Sequence, residues 1–99
     1  MLGNGTILMD LAVDQDGNAY VADWGRKRVL KVTKSGEKAG SISTVLQADG
    51  HYSPEGLVHT NGALYVLEST APPQEGIVPR IRMLKADGSV SIAYEYKRR

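Results

Sequence analysis

Cysteine is absent from the 99 residues, so no disulfide framework or thiolate metal site is possible, and the redox compartment stays open. An excess of charge of one sign is also missing. The formal net charge is +1, and no bulk field draws in nucleic acid or an anionic membrane. No apolar run approaches the length that spans a bilayer. The opening residues, Met1-Leu2-Gly3-Asn4-Gly5-Thr6, have neither a basic start nor a long apolar stretch, which argues against a signal peptide. A cytoplasmic protein is the default expectation, and a removed leader would leave the same sequence. Helical periodicity is missing over any window of roughly ten residues. A nucleophile elbow, a phosphate loop, a paired-His metal motif and Ser-His-Asp spacing are missing too, so nucleophilic catalysis has no support.

What is present is a repeat. The composition, 41% hydrophobic and 23% charged, suits one small soluble domain with a modest core. Within it, Leu11-Ala12-Val13-Asp14 followed by Gly17-Asn18-Ala19-Tyr20-Val21-Ala22-Asp23 returns as Leu57-Val58-His59-Thr60 followed by Asn61-Gly62-Ala63-Leu64-Tyr65-Val66-Leu67-Glu68. Arg28-Val29-Leu30-Lys31-Val32 returns as Arg80-Ile81-Arg82-Met83-Leu84. The offset is about 45 residues early in the unit and about 52 later, because the second copy carries a longer connection from Ala71 to Pro79. A period of this size with several short strands per unit is the signature of a propeller blade.

The strand pattern agrees. Short apolar runs are separated by Asp16-Gly17, Ser35-Gly36, Asp49-Gly50, Asn61-Gly62 and Asp87-Gly88, pairs that supply the positive φ of tight hairpins. Four strands per unit are predicted, near 8–14, 18–23, 28–33 and 42–46, then 55–59, 63–68, 79–85 and 90–96. The fold class is therefore all-β: one domain, 1–99, of two four-stranded antiparallel blades at about 8–47 and 54–96. The near-continuous apolar run at 18–23 suggests a sheet covered on both faces.

"LAVDQDGNAYVADWGRKRVLKV" resembles an NHL-type repeat, and its Asp-Trp pair is similar to the related YWTD blades. "SPEGLVHTNGALYVLEST" resembles blades of the gluconolactonase and strictosidine-synthase-like group, in which a Pro-Glu-Gly segment precedes the innermost strand. The resemblance covers nearly the whole chain and implies a propeller, a fold that hosts many activities. These families are mostly six-bladed, and two blades alone leave an apolar sheet face at each end. Self-association is therefore expected, most simply as a trimer that closes a ring; the other two solutions are a stretch of a longer propeller and some other closed packing of the two sheets.

Candidate site residues follow from chemistry and from the resemblance. Trp24, the sole Trp, can stack a sugar or base, or cover the edge of the core. Arg26 belongs to a basic run with Lys27, Arg28, Lys31 and Lys34, joined by Lys97-Arg98-Arg99 at the end of the sequence. Some NHL propellers bind RNA through a basic face, but the near-zero net charge speaks against nucleic acid. Glu55 stands where the gluconolactonase-like group has a divalent-metal ligand, so the resemblance implies a possible Ca²⁺ site. Calcium needs six to eight oxygens, and the first unit has Met9 at the equivalent place. His51 and His59 are the only general-base candidates near neutral pH, with His59 expected to lie partly buried in an innermost strand. Asp23 and Arg28 recur as Glu68 and Arg80, which marks them as parts of the blade rather than of a catalytic site. The Ala71–Pro79 insertion with Glu75 is either a recognition loop or a stiff connector.

The combined reading is a non-catalytic binding or interaction module of the propeller type, with no resident cofactor. Its partners are further copies of itself and a small-molecule or protein ligand near Trp24, Arg26, His51 and Glu55; neither a membrane nor nucleic acid is expected. The alternatives are a metal-dependent lactone or ester hydrolase with Glu55 as ligand, and an RNA-binding NHL-type module.

Overall fold

A computed structural model of the chain describes residues 4–70 and 78–95. Most of the insertion, including Glu75, and the basic end Lys97-Arg98-Arg99 lie outside the described residues. The strands are β1 (Leu8–Val13), β2 (Ala19–Asp23), β3 (Arg28–Val32), β4 (Ile42–Gln47), β5 (Ser53–Thr60), β6 (Ala63–Ser69), β7 (Arg80–Lys85) and β8 (Val90–Glu95). They form two four-stranded antiparallel sheets, β1-β2-β3-β4 and β5-β6-β7-β8, each in sequence order. Among the described residues there is no helix, and so none long and apolar enough to cross a membrane.

The turns form for local reasons. Asn61 and Gly62 both take positive φ, 52° and 78°, which suits the two-residue turn closing Thr60 onto Ala63. Between β1 and β2, the Asp14 carboxylate accepts the N–H groups of Asp16 and Asn18 at 2.9 and 3.0 Å. The Asp23-Trp24-Gly25-Arg26-Lys27-Arg28 stretch is the corner between β2 and β3. The chain around Gly5–Ile7 crosses it so closely that a Cβ on Gly25 would collide with the Gly5 carbonyl oxygen.

One register detail departs from the expected strand limits. Pro54-Glu55-Gly56 lies inside β5 rather than before it. Pro54 pairs with Glu68 and Gly56 with Leu67, which leaves Glu55 as a bulge. Proline is accommodated because β5 is an edge strand of its sheet. Met9 is the matching bulge of β1, between Leu8↔Asp23 and Asp10↔Ala22, so Met9 and Glu55 are structurally equivalent.

The core is the seam between the sheets. Tyr20, Ala22, Val29 and Leu46 of the first sheet meet Leu57, Leu64, Val66 and Leu84 of the second. β5 packs on β1 and β2. A polar bridge crosses the same seam: Asp10 Oδ2 accepts the Leu57 N–H at 2.8 Å. The opposite faces are open, with Leu11 and Val13 exposed on the first sheet and Val58 and Leu67 on the second. The expectation that β2 is covered on both faces is thus met only in part. Tyr20 and Ala22 are buried in the seam, while Ala19 and Val21 are half-buried.

The repeated acid–arginine pairs occupy equivalent places. Asp23 sits opposite Arg28 and Glu68 opposite Arg80. The Asp23 carboxylate accepts Arg28 Nε at 2.8 Å and the N–H groups of Ile7 and Arg26 at 3.0 and 3.2 Å. Burial pushes this carboxyl up, but Arg28 and the two N–H groups outweigh burial and hold it below the ordinary 3.8. A carboxylate lowered in the folded state stabilises the fold above its unfolded value, and that contribution is lost as pH falls through the folded value. Thermal stability is therefore expected to drop as the pH falls below 3.8, and Asp23→Asn to flatten the drop. Melting curves across an acid pH series check this.

Candidate functional site

A cleft of about 490 Å³ opens between the two sheets. It lies at the end where the β1–β2, β5–β6 and β7–β8 turns gather, with Asn18, Gly62 and Gly88 on its rim. Tyr20 and His59 meet across the seam, their rings stacked at 5.9 Å and 15°. Lys31, the cross-strand neighbour of Tyr20, places its ammonium 5.9 Å from the Tyr20 ring centre, a cation–π arrangement. Leu64 and Leu84 supply apolar wall. The volume lies within the range of small-molecule sites, and the lining is mixed, with Gln15, Asp16 and Lys85 beside the apolar groups.

Asp14, Asp16, Lys31 and Lys85 bring charge of both signs to the cleft, and Asp14 is joined to Tyr20. Tyr20 Oη donates to Asp14 Oδ2 at 3.0 Å. Burial, and then the Asp14 carboxylate, push the Tyr20 hydroxyl up to about 12, so it remains a proton donor at neutral pH. Burial raises the Asp14 carboxyl, but hydrogen bonds from Asn18, Tyr20 and Asp16 together bring it below its ordinary value. Asp14 is therefore charged and committed to the turn and to Tyr20. The cleft thus presents a charged carboxylate and a phenol donor beside its apolar wall.

None of Trp24, Arg26, His51 and Glu55 lines this cleft. All four lie toward the opposite end of the sheets, where β1 and β5 begin. Trp24 is half-buried in the β2–β3 corner, where its backbone N–H donates to the Ile7 carbonyl at 2.7 Å. Arg26 is exposed, with its guanidinium on the Asn4 carbonyl. Its neighbour Lys27 reaches the Gly50 carbonyl, and Arg28 is paired with Asp23. With Lys31 at the cleft, the basic run is divided between both ends of the sheets. His51 is exposed in the turn before β5, and Glu55 is half-buried at its bulge. Among the described residues no group of three or more His, Asp and Glu side chains is placed to hold a metal ion.

No family model matches the sequence, and no curated protein matches it. Solved structures do match. A Thermus thermophilus protein, provisionally described as an oxidoreductase (glucose dehydrogenase), superposes with a TM-score of 0.64 at 16% identity over 96% of this chain. Together with two sheets of four antiparallel strands, this likeness decides the architecture. The sheets are propeller blades. The chain spans 29% of the length of that protein, and at this identity the likeness is one of fold alone.

Seen on the blades, the cleft lies between neighbours rather than in either one. Sequence reasoning placed His59 in the innermost strand but missed its pairing with Tyr20. One signal was readable. The second blade has a polar His59 where the first has Val13, a substitution at a position that faces the neighbouring blade.

Proposed function

We propose that the protein is a non-catalytic, propeller-type binding module that holds a small ligand in the cleft between its two blades. The observation supporting this is the cleft itself, which combines a stacked Tyr20–His59 pair, a charged Lys31 and a Tyr20 hydroxyl that donates to Asp14. Stacked rings offer an apolar surface to a flat or ring-shaped ligand, and the polar groups around them set its orientation. The blades would be of the NHL or gluconolactonase-like kind. In the hydrolase alternative, calcium at Glu55 would need oxygen ligands from other blades, since Met9 occupies the equivalent position within this chain.

The test is a titration of ¹⁵N-labelled protein with benzoate, benzylamine and a monosaccharide, read by amide chemical shifts. At least one probe is expected to move Asn18, Tyr20, Lys31 and His59 together and to leave Trp24 and His51 in place. Lys31→Ala and His59→Ala are expected to weaken that response. Shifts confined to Trp24, Arg26 and His51 would overturn the cleft reading and return the site to the opposite end.

A further inference from the structure

We propose that this chain assembles head to tail with copies of itself, the outer face of the second blade docking on the outer face of the first blade of the next copy. The seam inside the chain is the template. The repeat registers make Leu11 and Val21 of the first blade equivalent to Leu57 and Val66 of the second. Leu57 and Val66 are the side that the second blade turns toward the seam. On the other side, Val58, Tyr65 and Ile81 are equivalent to Ala12, Tyr20 and Val29, the side that the first blade turns toward the seam. Each outer face thus repeats the pattern of a face already buried against a blade.

The two outer faces suit one another. Neither of the cross-strand rows Leu11–Val21–Leu30–Thr44 and Val58–Tyr65–Met83–Ser91 contains a charged residue. Leu11 and Val58 are each 59% exposed, with Val13 and Leu67 exposed beside them. Leu30 of the first row is buried within its own blade, so the exposed apolar surface centres on the edge strands β1 and β5, and exposed apolar patches of this kind mark contact sites.

A backbone detail separates the two kinds of seam. Inside the chain, the Leu57 N–H is satisfied by Asp10 of the neighbouring blade. Between copies, Gly56 stands at the place of Asp10 and offers no carboxylate. The matching N–H, that of Leu11, is already accepted by Oδ1 of its own neighbour Asp10 at 2.8 Å. Docking a second copy over Leu11 therefore leaves no orphaned donor at that position. The contact joins two different patches, so it is heterologous and propagates until a rotation closes it. Propellers close with about four to eight blades, so two to four copies of this pair complete a ring.

The test uses the full chain, Leu11→Asp, Val58→Asp and their equimolar mixture, read by light scattering after size exclusion. Wild type is expected at two to four times the 10.7 kDa chain mass. Each variant loses one of the two patches and is expected as a monomer, with circular dichroism confirming that it remains folded. The mixture is expected to form a one-to-one dimer, because the intact second-blade face of Leu11→Asp fits the intact first-blade face of Val58→Asp. A monomeric wild type, a variant that retains the wild-type mass, or a mixture that stays monomeric would overturn the proposal. Retention of the wild-type mass by only one variant would indicate a symmetric contact of one face with itself.

Discussion

Replacing Glu68 by Leu is expected to remove about 3–5 kcal/mol of stability. Glu68 is fully buried on the seam side of the second blade. Its Oε1 accepts Arg80 Nε and Arg82 Nε, both at 2.7 Å, and its Oε2 accepts an Arg82 terminal nitrogen at 2.9 Å. Both arginines are themselves largely shielded, so losing the carboxylate strands two cations away from bulk water. Arg80 keeps part of its support, since it also pairs with Asp49 and lies 3.9 Å over the Tyr52 ring. Arg82 loses its carboxylate partner outright. Glu68→Gln preserves size and one acceptor, and its cost is expected to be smaller. Urea unfolding of the three proteins gives the comparison. A loss below about 1 kcal/mol for Glu68→Leu would mean that solvent, rather than Glu68, satisfies the arginines.

Leu64→Ala is expected to lower stability by about 2–5 kcal/mol and the Tm by on the order of 10 °C or more. Leu64 is 2% exposed, pairs across the sheet with His59 and Leu84, and packs in the seam against the first blade. Its removal subtracts the transfer free energy of the side chain and leaves a void where the sheets meet. The effect is large for a small domain, whose total stability is about 5–15 kcal/mol. Glu37→Ala in the exposed β3–β4 connection is the control, with an expected change within about 0.5 kcal/mol. Thermal melts of both variants at a common concentration decide the matter. Equal losses at the two positions would show that the seam is not the core.

The strands and their order were legible because the signals are local. Asn61-Gly62 and Asp87-Gly88 fix two hairpins, and the period-two alternation of Leu57, His59 with Leu64, Val66 fixes which face is buried. The repeat also identified Asp23–Arg28 and Glu68–Arg80 as parts of the blade, which is how the structure uses them. Arg82, the second guanidinium on Glu68, was not legible, because the equivalent position of the first blade is Leu30. The cleft was not legible either. Tyr20 and His59 stand far apart in the sequence, and the packing of one blade on the other brings their rings together. Residues with conspicuous chemistry, Trp24 and Arg26, drew the sequence reading to the other end, where backbone contacts account for much of their placement.

The strictly sequential order of strands bears on how the chain reaches this state. Every strand pairing within a blade joins sequence neighbours, four of them across two to five residues and β3–β4 and β6–β7 across nine and ten. Such hairpins close on the microsecond scale. Contacts such as Asp10 to Leu57, 47 residues apart, wait until both sheets exist to make them, because loop-closure entropy must be met before the contact can reward it. Folding is thus expected to divide the chain where the repeat does: two meanders that form from local contacts, and a later docking of one on the other.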